Sequence, residues 1–423
     1  MPHKLAEARY PGTVDEKMSC EVATYAWMQE HCPDIRIPHL YGFGFTDNRH
    51  FTHEAHRPFY TRVLRYLRRL FHKILGYPTL LSRYASHAAP HHLSGAYMLL
   101  EHVGSGNSQV LSNTWDQYRQ EPSRRKNLYR GIARIMLSLA RVPQPRIGSF
   151  RFNSDSTITL TNRPLTSSIM ILENDGSPRT LPIGRTYSAT ESFVSDLFSF
   201  HDQRLATHPN AIIDAEHCHS EMACRVLLRS VAHRYIQQRW RDGPFILQLD
   251  DLHASNIFVD DDWNITSLID LEWVSAQPAE KLAVPYWLTG CAIDQVCGTR
   301  FDEFNAVREE FMAIFEEEEE EDERKSEAGR LALSQTMRHS WNSGGTWFWH
   351  SLMSVNAMYP LWAEHLRHRF SSSALAPDEE ELVSRFWCDD KAKFVERKVE
   401  EYENYNVELK ELFGKGDASL SGG

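Results

Sequence analysis

The stretch FILQLDDLHASNIFVDDDWNITSLIDLEW, residues 245–273, sets Asp251, Asn256 five positions later, and Asp270 at the end of an apolar run. That order suits phosphoryl transfer. One carboxylate can orient the proton of an attacking hydroxyl, while an amide oxygen and a second carboxylate hold the magnesium that neutralises phosphate charge. Phe245–Leu249, Ile257–Val259 and Ile265–Ile269 are short apolar runs, the last two separated by the polar turn stretch Asp260–Asn264, so the spacing predicts a strand, a loop and a hairpin. A hairpin brings its two ends together. Asn256 and Asp270, fourteen positions apart, are therefore expected side by side. Taken singly, each residue is common turn or cap chemistry; taken jointly, they fit a catalytic loop followed by a metal-binding segment.

On these residues the chain resembles the aminoglycoside phosphotransferase-like family of the kinase fold, in particular its fungal branch of mostly unassigned substrate. The resemblance is carried by Asp251-Leu252-His253-Ala254-Ser255-Asn256-Ile257-Phe258-Val259-Asp260 and Ile269-Asp270-Leu271-Glu272-Trp273. Arg146-Ile147-Gly148-Ser149-Phe150 and Tyr97-Met98-Leu99-Leu100-Glu101 support it, and it spans most of residues 10–300. It implies an α+β, protein-kinase-like two-lobed fold: a partial, N-terminally truncated small lobe over 1–103, a mostly helical large lobe over 104–414, and a disordered tail over 415–423. It also implies Asp251 as catalytic base, Asn256 and Asp270 as magnesium ligands, and ATP as phosphate donor. Adenine would meet the backbone at Glu101, His102 and Val103, and Glu21 would be the helical glutamate of the small lobe.

The chain departs from that family at two places. Leu249 stands where a loop-scaffolding His is usual. No glycine hairpin or strand-borne cation precedes Glu21; Met1 to Glu16 reads as a linker, and Lys4 and Arg9 are the only cations expected upstream of the small-lobe helix. Weak magnesium-ATP binding is the consequence expected. Two function classes follow: a phosphotransferase acting on a small-molecule hydroxyl, and a pseudokinase serving as a binding or regulatory module.

Composition is that of an ordinary globular chain. Its 423 residues are 42% hydrophobic and 24% charged, with room for a sizeable core. A net charge of −11 argues against a general polyanion-binding role, so no nucleic-acid partner is expected. No run approaches the roughly 20 apolar residues of a membrane span, and no apolar signal segment opens the chain, so the expected location is cytoplasmic. Seven scattered cysteines without paired spacing read as free thiols.

Local patterns supply further expectations. Glu16–Glu30, Ser188–His208 and Ala215–Arg241 read as helices, as does the segment carrying Leu128, Ile132, Ile135, Met136 and Leu139. Tyr97–Leu100 reads as a buried strand and Gly42-Phe43-Gly44 as part of a strand or turn. Residues 57–73 alternate Arg57, Arg62, Arg65, Arg68, Arg69 and Lys73 with apolar residues, predicting an amphipathic helix with its apolar stripe against the small lobe and its arginines in water. The acidic run Glu316–Glu323 reads as a solvated helix extension or a mobile segment. Asp214, His217, Cys218 and His219 are too poorly spaced on a helix for one metal. The aromatics of Pro285–Gly290 and Gly344–Trp349 read as helix-packing core with a second possibility of shaping a pocket. An amine-rich acceptor needs acidic groups at the cleft mouth; whether Asp294, Glu303 or the acidic run face it is not fixed by sequence, so the acceptor stays open.

Overall fold

A computed structural model describes residues 4–77, 79–87, 95–324, 331–371 and 376–420. The chain begins with helices α1 (Lys4–Arg9) and α2 (Thr13–His31), then strands β1 (Leu40–Gly44) and β2 (His50–His53). Helix α3 (Phe59–Ile74) follows, and strands β3 (Leu80–Leu81), β4 (Tyr84–His87) and β5 (Tyr97–Leu100) close this part. A crossing segment leads to β6 (Gln109–Val110), α4 (Trp115–Tyr118), α5 (Pro122–Ala140), β7 (Ser149–Phe152) and β8 (Thr157–Asn162). After α6 (Ser167–Asn174), α7 (Thr190–Thr207) and α8 (Ala215–Val231) come β9 (Phe245–Leu249), β10 (Ile257–Val259), β11 (Ile265–Leu268) and β12 (Val274–Pro278). The described elements that follow are helices, among them α9 (Gly298–Arg324), α10 (Leu333–Ser343), α11 (Gly345–Met353), α12 (Met358–Leu361), α13 (Pro377–Ser384) and α14 (Lys391–Leu420).

The class is α+β with small antiparallel sheets. One sheet has the order β4-β2-β1-β5, a second β11-β10-β6, a third β12-β9, and a fourth β3-β8-β7. The main buried core runs from α2 through α5 to α9 and α11, beside two smaller buried clusters, one holding Leu205, Met222 and Val395 and one holding Cys20, Met170 and Trp273.

Helix α2 is fixed by a buried charge cluster. Arg163, fully enclosed at the end of β8, donates to both oxygens of Glu16 and both of Glu173, and Arg179 adds a second cation on Glu173. Paired charges with fork geometry tolerate burial where a lone charge would not. The Ser19 hydroxyl also exchanges hydrogen bonds with the Phe152 backbone of β7, at 3.1 and 3.0 Å. Both anchors sit on the turns of α2 that carry Lys17 and Glu21.

Several expectations need correction. Residues 4–16, expected as part of a linker, are packed: α1 buries Ala6, and the Tyr10 hydroxyl accepts from the Arg179 backbone N–H at 2.8 Å. The helix expected to reach Arg241 ends at Val231, followed by a 3₁₀ turn. Strand β5 is the sheet edge, leaving Leu99 and Leu100 half-exposed rather than buried. The acidic run is not solvated along its length. Glu318 is buried and paired with Arg130 and Arg134 of α5, Asp322 pairs with Arg141, and Glu319 accepts from the Leu333 N–H at the start of α10. The segment 415–423 is helical through Leu420, and its last three residues lie outside the described ones.

Helix α3 reverses its expected orientation. Phe59, Leu64, Phe71 and Ile74 are 76, 68, 63 and 69% exposed, whereas Arg65 is buried. Arg65 donates to the Ser82 carbonyl at 2.7 Å, and Arg69 grips both oxygens of Glu54. Charge-assisted bonds thus seat the basic face against the protein, and the apolar face points to water.

Candidate functional site

The hairpin β10–β11 pairs Ile257 with Leu268, and the Ile269 N–H donates to the Asn256 carbonyl at 3.0 Å. Its turn is built from polar contacts. Asp260 accepts from the Asp262 and Asn264 N–H groups, and Trp263 is buried in stacked contact with Trp115 at 5.5 Å. Gly131 lets α5 approach from behind, since a Cβ there would lie 2.8 Å from Ile265 Cδ1. Strand β6 pairs with β10 on the far side, so the crossing segment from β5 ends on the hairpin itself.

Register brings Asn256 and Asp270 together, and the loop adds Asp251. The Asn256 amide N–H₂ donates to the Asp251 carbonyl at 2.9 Å, which commits its nitrogen to the loop and frees its oxygen. Asp251, Asn256 and Asp270 line one small cavity with Leu249, Leu252 and Trp273 among its other walls. Asp270 has φ +58°, a left-handed conformation that an Asp tolerates better than most residues but that still carries strain.

The charges around this cavity are mostly negative. Burial pushes the Asp270 carboxyl above its usual range, reinforced by Glu272 and opposed by Lys17. Burial likewise raises Asp251, with His253 opposing and Asp270, Glu272 and Asp250 adding to the rise. Glu21, from α2, is pushed up to about 7 by burial, with Lys17 opposing and Glu272 and Asp270 contributing. Crowded carboxylates whose ionised forms are disfavoured suit a site that receives a cation. Among the described residues no group of three or more His, Cys, Asp or Glu is arranged around a metal. A magnesium held by one amide, one carboxylate and phosphate oxygens needs no such group.

Lys17 is the cation the sequence reading overlooked. It sits one turn before Glu21, forms an ion pair with Glu272, and lies 5.7 Å from the Trp273 ring centroid. Glu21, read as having no visible basic residue to pair with, therefore feels the charge of Lys17 from its own helix. Arg9 binds the Gly176 carbonyl.

Of the residues expected at the adenine hinge, Glu101 spends its side chain locally. It accepts from Arg36 at 2.5 Å and from the His39 N–H at 2.9 Å. Its backbone N–H bonds the His39 carbonyl at 2.9 Å. His102 and Val103 follow without regular structure, and the two cavities that Asp251 lines do not include these three residues.

The second cavity is the larger, about 1230 Å³ including its open mouth. Asp251 stands at its edge; Leu247, Leu282, Val284, Tyr286, Trp287 and Met353 give it mainly apolar walls. Asp250 belongs to it but is spent: one oxygen meets Lys281 Nζ and the other Gln277 Nε2, each at 2.5 Å. Burial lowers the His350 pKa to about 3, leaving a neutral imidazole whose Nε2 has no partner. Tyr286 and Trp287, read from sequence as core or pocket, line this cavity, whereas Trp347, Phe348 and Trp349 are buried core. Asp214 caps α8 by accepting from the His217 N–H at 2.8 Å, and Cys218 is buried in the core. Comparison with protein-family models, with curated proteins and with solved structures finds no match in any of the three.

Proposed function

We propose that the chain is an ATP- and magnesium-dependent phosphotransferase acting on a hydroxyl of a small molecule, with a kinase-like arrangement in which the β4-β2-β1-β5 sheet and α2 form the small lobe. The observation that carries this reading is the shared position of Asp251, which lines both the small cavity with Asn256 and Asp270 and the larger apolar one. A phosphoryl donor held in the first and an acceptor held in the second meet at its carboxylate. Asn256 through its amide oxygen and Asp270 through its carboxylate would hold magnesium, which neutralises phosphate charge when bound. Asp251 orients the acceptor hydroxyl and takes its proton, and the burial that raises its pKa makes its carboxylate a stronger base than an exposed one.

The acceptor chemistry follows from the walls. Asp250 is already satisfied by Lys281 and Gln277, and the remaining surface is mainly apolar with a neutral His350. Such a site favours an uncharged, largely apolar alcohol over a polyamine. All seven cysteines are unpaired, in keeping with a reducing, cytoplasmic setting.

The test is transfer of labelled γ-phosphate to a library of neutral alcohols and amino sugars, run with wild type and Asp251→Asn. Magnesium-dependent transfer that falls by about 10²-fold or more in Asp251→Asn supports the reading. Equal transfer by the two proteins removes Asp251 from the chemistry and moves the reading to a binding module.

A further inference from the structure

Helix α3 presents an amphipathic surface that the proposed chemistry does not use. At about 100° per residue, Phe59, Leu64, Leu67, Leu70, Phe71 and Ile74 fall on one side, and Arg65 and Arg69 on the other. The basic side is the anchored one. Arg65 and Arg69 reach Ser82 and Glu54, so all six apolar side chains are left more than two-fifths exposed, from 42% at Leu70 to 76% at Phe59. An apolar stripe of this length, about 24 Å for 16 residues, is not the scattered exposure normal for a monomer surface.

The charge pattern says what covers it. Although the whole chain carries −11, residues 55–100 contain no Asp or Glu and seven Lys or Arg. Arg62 and Lys73 are exposed along one margin of the stripe, and Arg68 marks the other, within electrostatic reach of Asp155 on the β7–β8 turn. We propose that α3 is a membrane-surface helix that lies in the plane of an anionic phospholipid surface, apolar side in the acyl boundary and cations at the headgroups. An apolar face bordered by cations is the arrangement such helices use. A second copy docked on the same face would bring like-charged margins together, which disfavours it. The face is a single convex helix without the groove that a partner helix requires, whereas a lipid plane needs none. No described helix is long and apolar enough to cross a membrane, so the helix would rest on the surface rather than span it.

The experiment is flotation of the full chain with vesicles of phosphatidylcholine alone and of equimolar phosphatidylcholine and phosphatidylserine. The chain should float with the anionic vesicles at least about tenfold more strongly than with the neutral ones, and lose that binding as salt rises. Leu64→Glu with Phe71→Glu should abolish flotation while leaving the melting temperature unchanged, because both side chains face solvent. A fluorophore on Leu67→Cys should shift to the blue when anionic vesicles are added. The proposal is overturned if neither vesicle binds the chain, if both bind it equally, or if the double variant floats like wild type. It is also overturned if the fluorophore does not respond, or if wild type forms a concentration-dependent dimer that the double variant abolishes.

Discussion

The ammonium of Lys17 and the carboxylate of Glu272 form an ion pair between helix α2 and the segment just beyond Asp270. Both side chains are mostly enclosed, at 19 and 12% exposure, and the pair sits among Glu21, Asp270 and the Trp273 ring. Lys17→Ala therefore leaves several carboxylates without their nearest cation. Its cost in urea denaturation should exceed the ~1 kcal/mol of an exposed pair. Adding Glu272→Gln should recover part of the loss, and a strictly additive double-mutant cycle would show that the two residues are not coupled.

Arg163 holds α2 in the orientation that points Lys17 and Glu21 at Asp270 and Glu272. Arg163→Met strands Glu16 and Glu173 in the core, with Arg179 offsetting the loss only at its side of the cluster. A loss of about 3–5 kcal/mol is expected from breaking such a buried group. Denaturation midpoints within error of wild type would mean that the cluster does not anchor the helix.

Much of this was readable from sequence where local pattern decides the structure. The hairpin holding Asn256 and Asp270 followed from apolar runs around a polar turn, and its register is local. Residues whose partners lie far along the chain were not readable. Lys281 meets Asp250 from thirty-one positions away, and Glu318 and Asp322 of the acidic run turn inward because Arg130 and Arg134 of α5 and Arg141 at its C-terminal cap repeat along one side. Periodicity gave α3 its two faces but not which one faces inward; Glu54 settles that by pairing with Arg69. Lys17 had a usable signal, since it lies four positions before Glu21 on the same helix face.

Glu280 makes stability depend on pH. Burial pushes its carboxyl from 4.5 up to about 7, against the Gln237 N–H that donates to Oε1 at 2.6 Å, while Oε2 has no partner. Between those two values the folded chain holds a proton that the unfolded chain has released, so this contribution is complete below 4.5 and is lost as pH rises through about 7. The loss is at most about 3 kcal/mol. Glu280→Gln keeps the Oε1 acceptor and removes the titration, so its melting temperature should fall less than that of wild type between pH 5 and 8. Parallel pH profiles for the two proteins would contradict the assignment.

In the proposed phosphotransferase Asp270 would serve the metal and Asp251 the acceptor. ATP titration of wild type, Asp270→Ala and Asp251→Asn, each with and without magnesium and read by calorimetry and thermal shift, separates the two roles. Magnesium should strengthen ATP binding to wild type and to Asp251→Asn alike, because the substitution leaves Asn256 and Asp270 in place. Asp270→Ala should lose the magnesium dependence. Magnesium-dependent ATP binding that persists unchanged in Asp270→Ala would mean that Asp270 holds no metal.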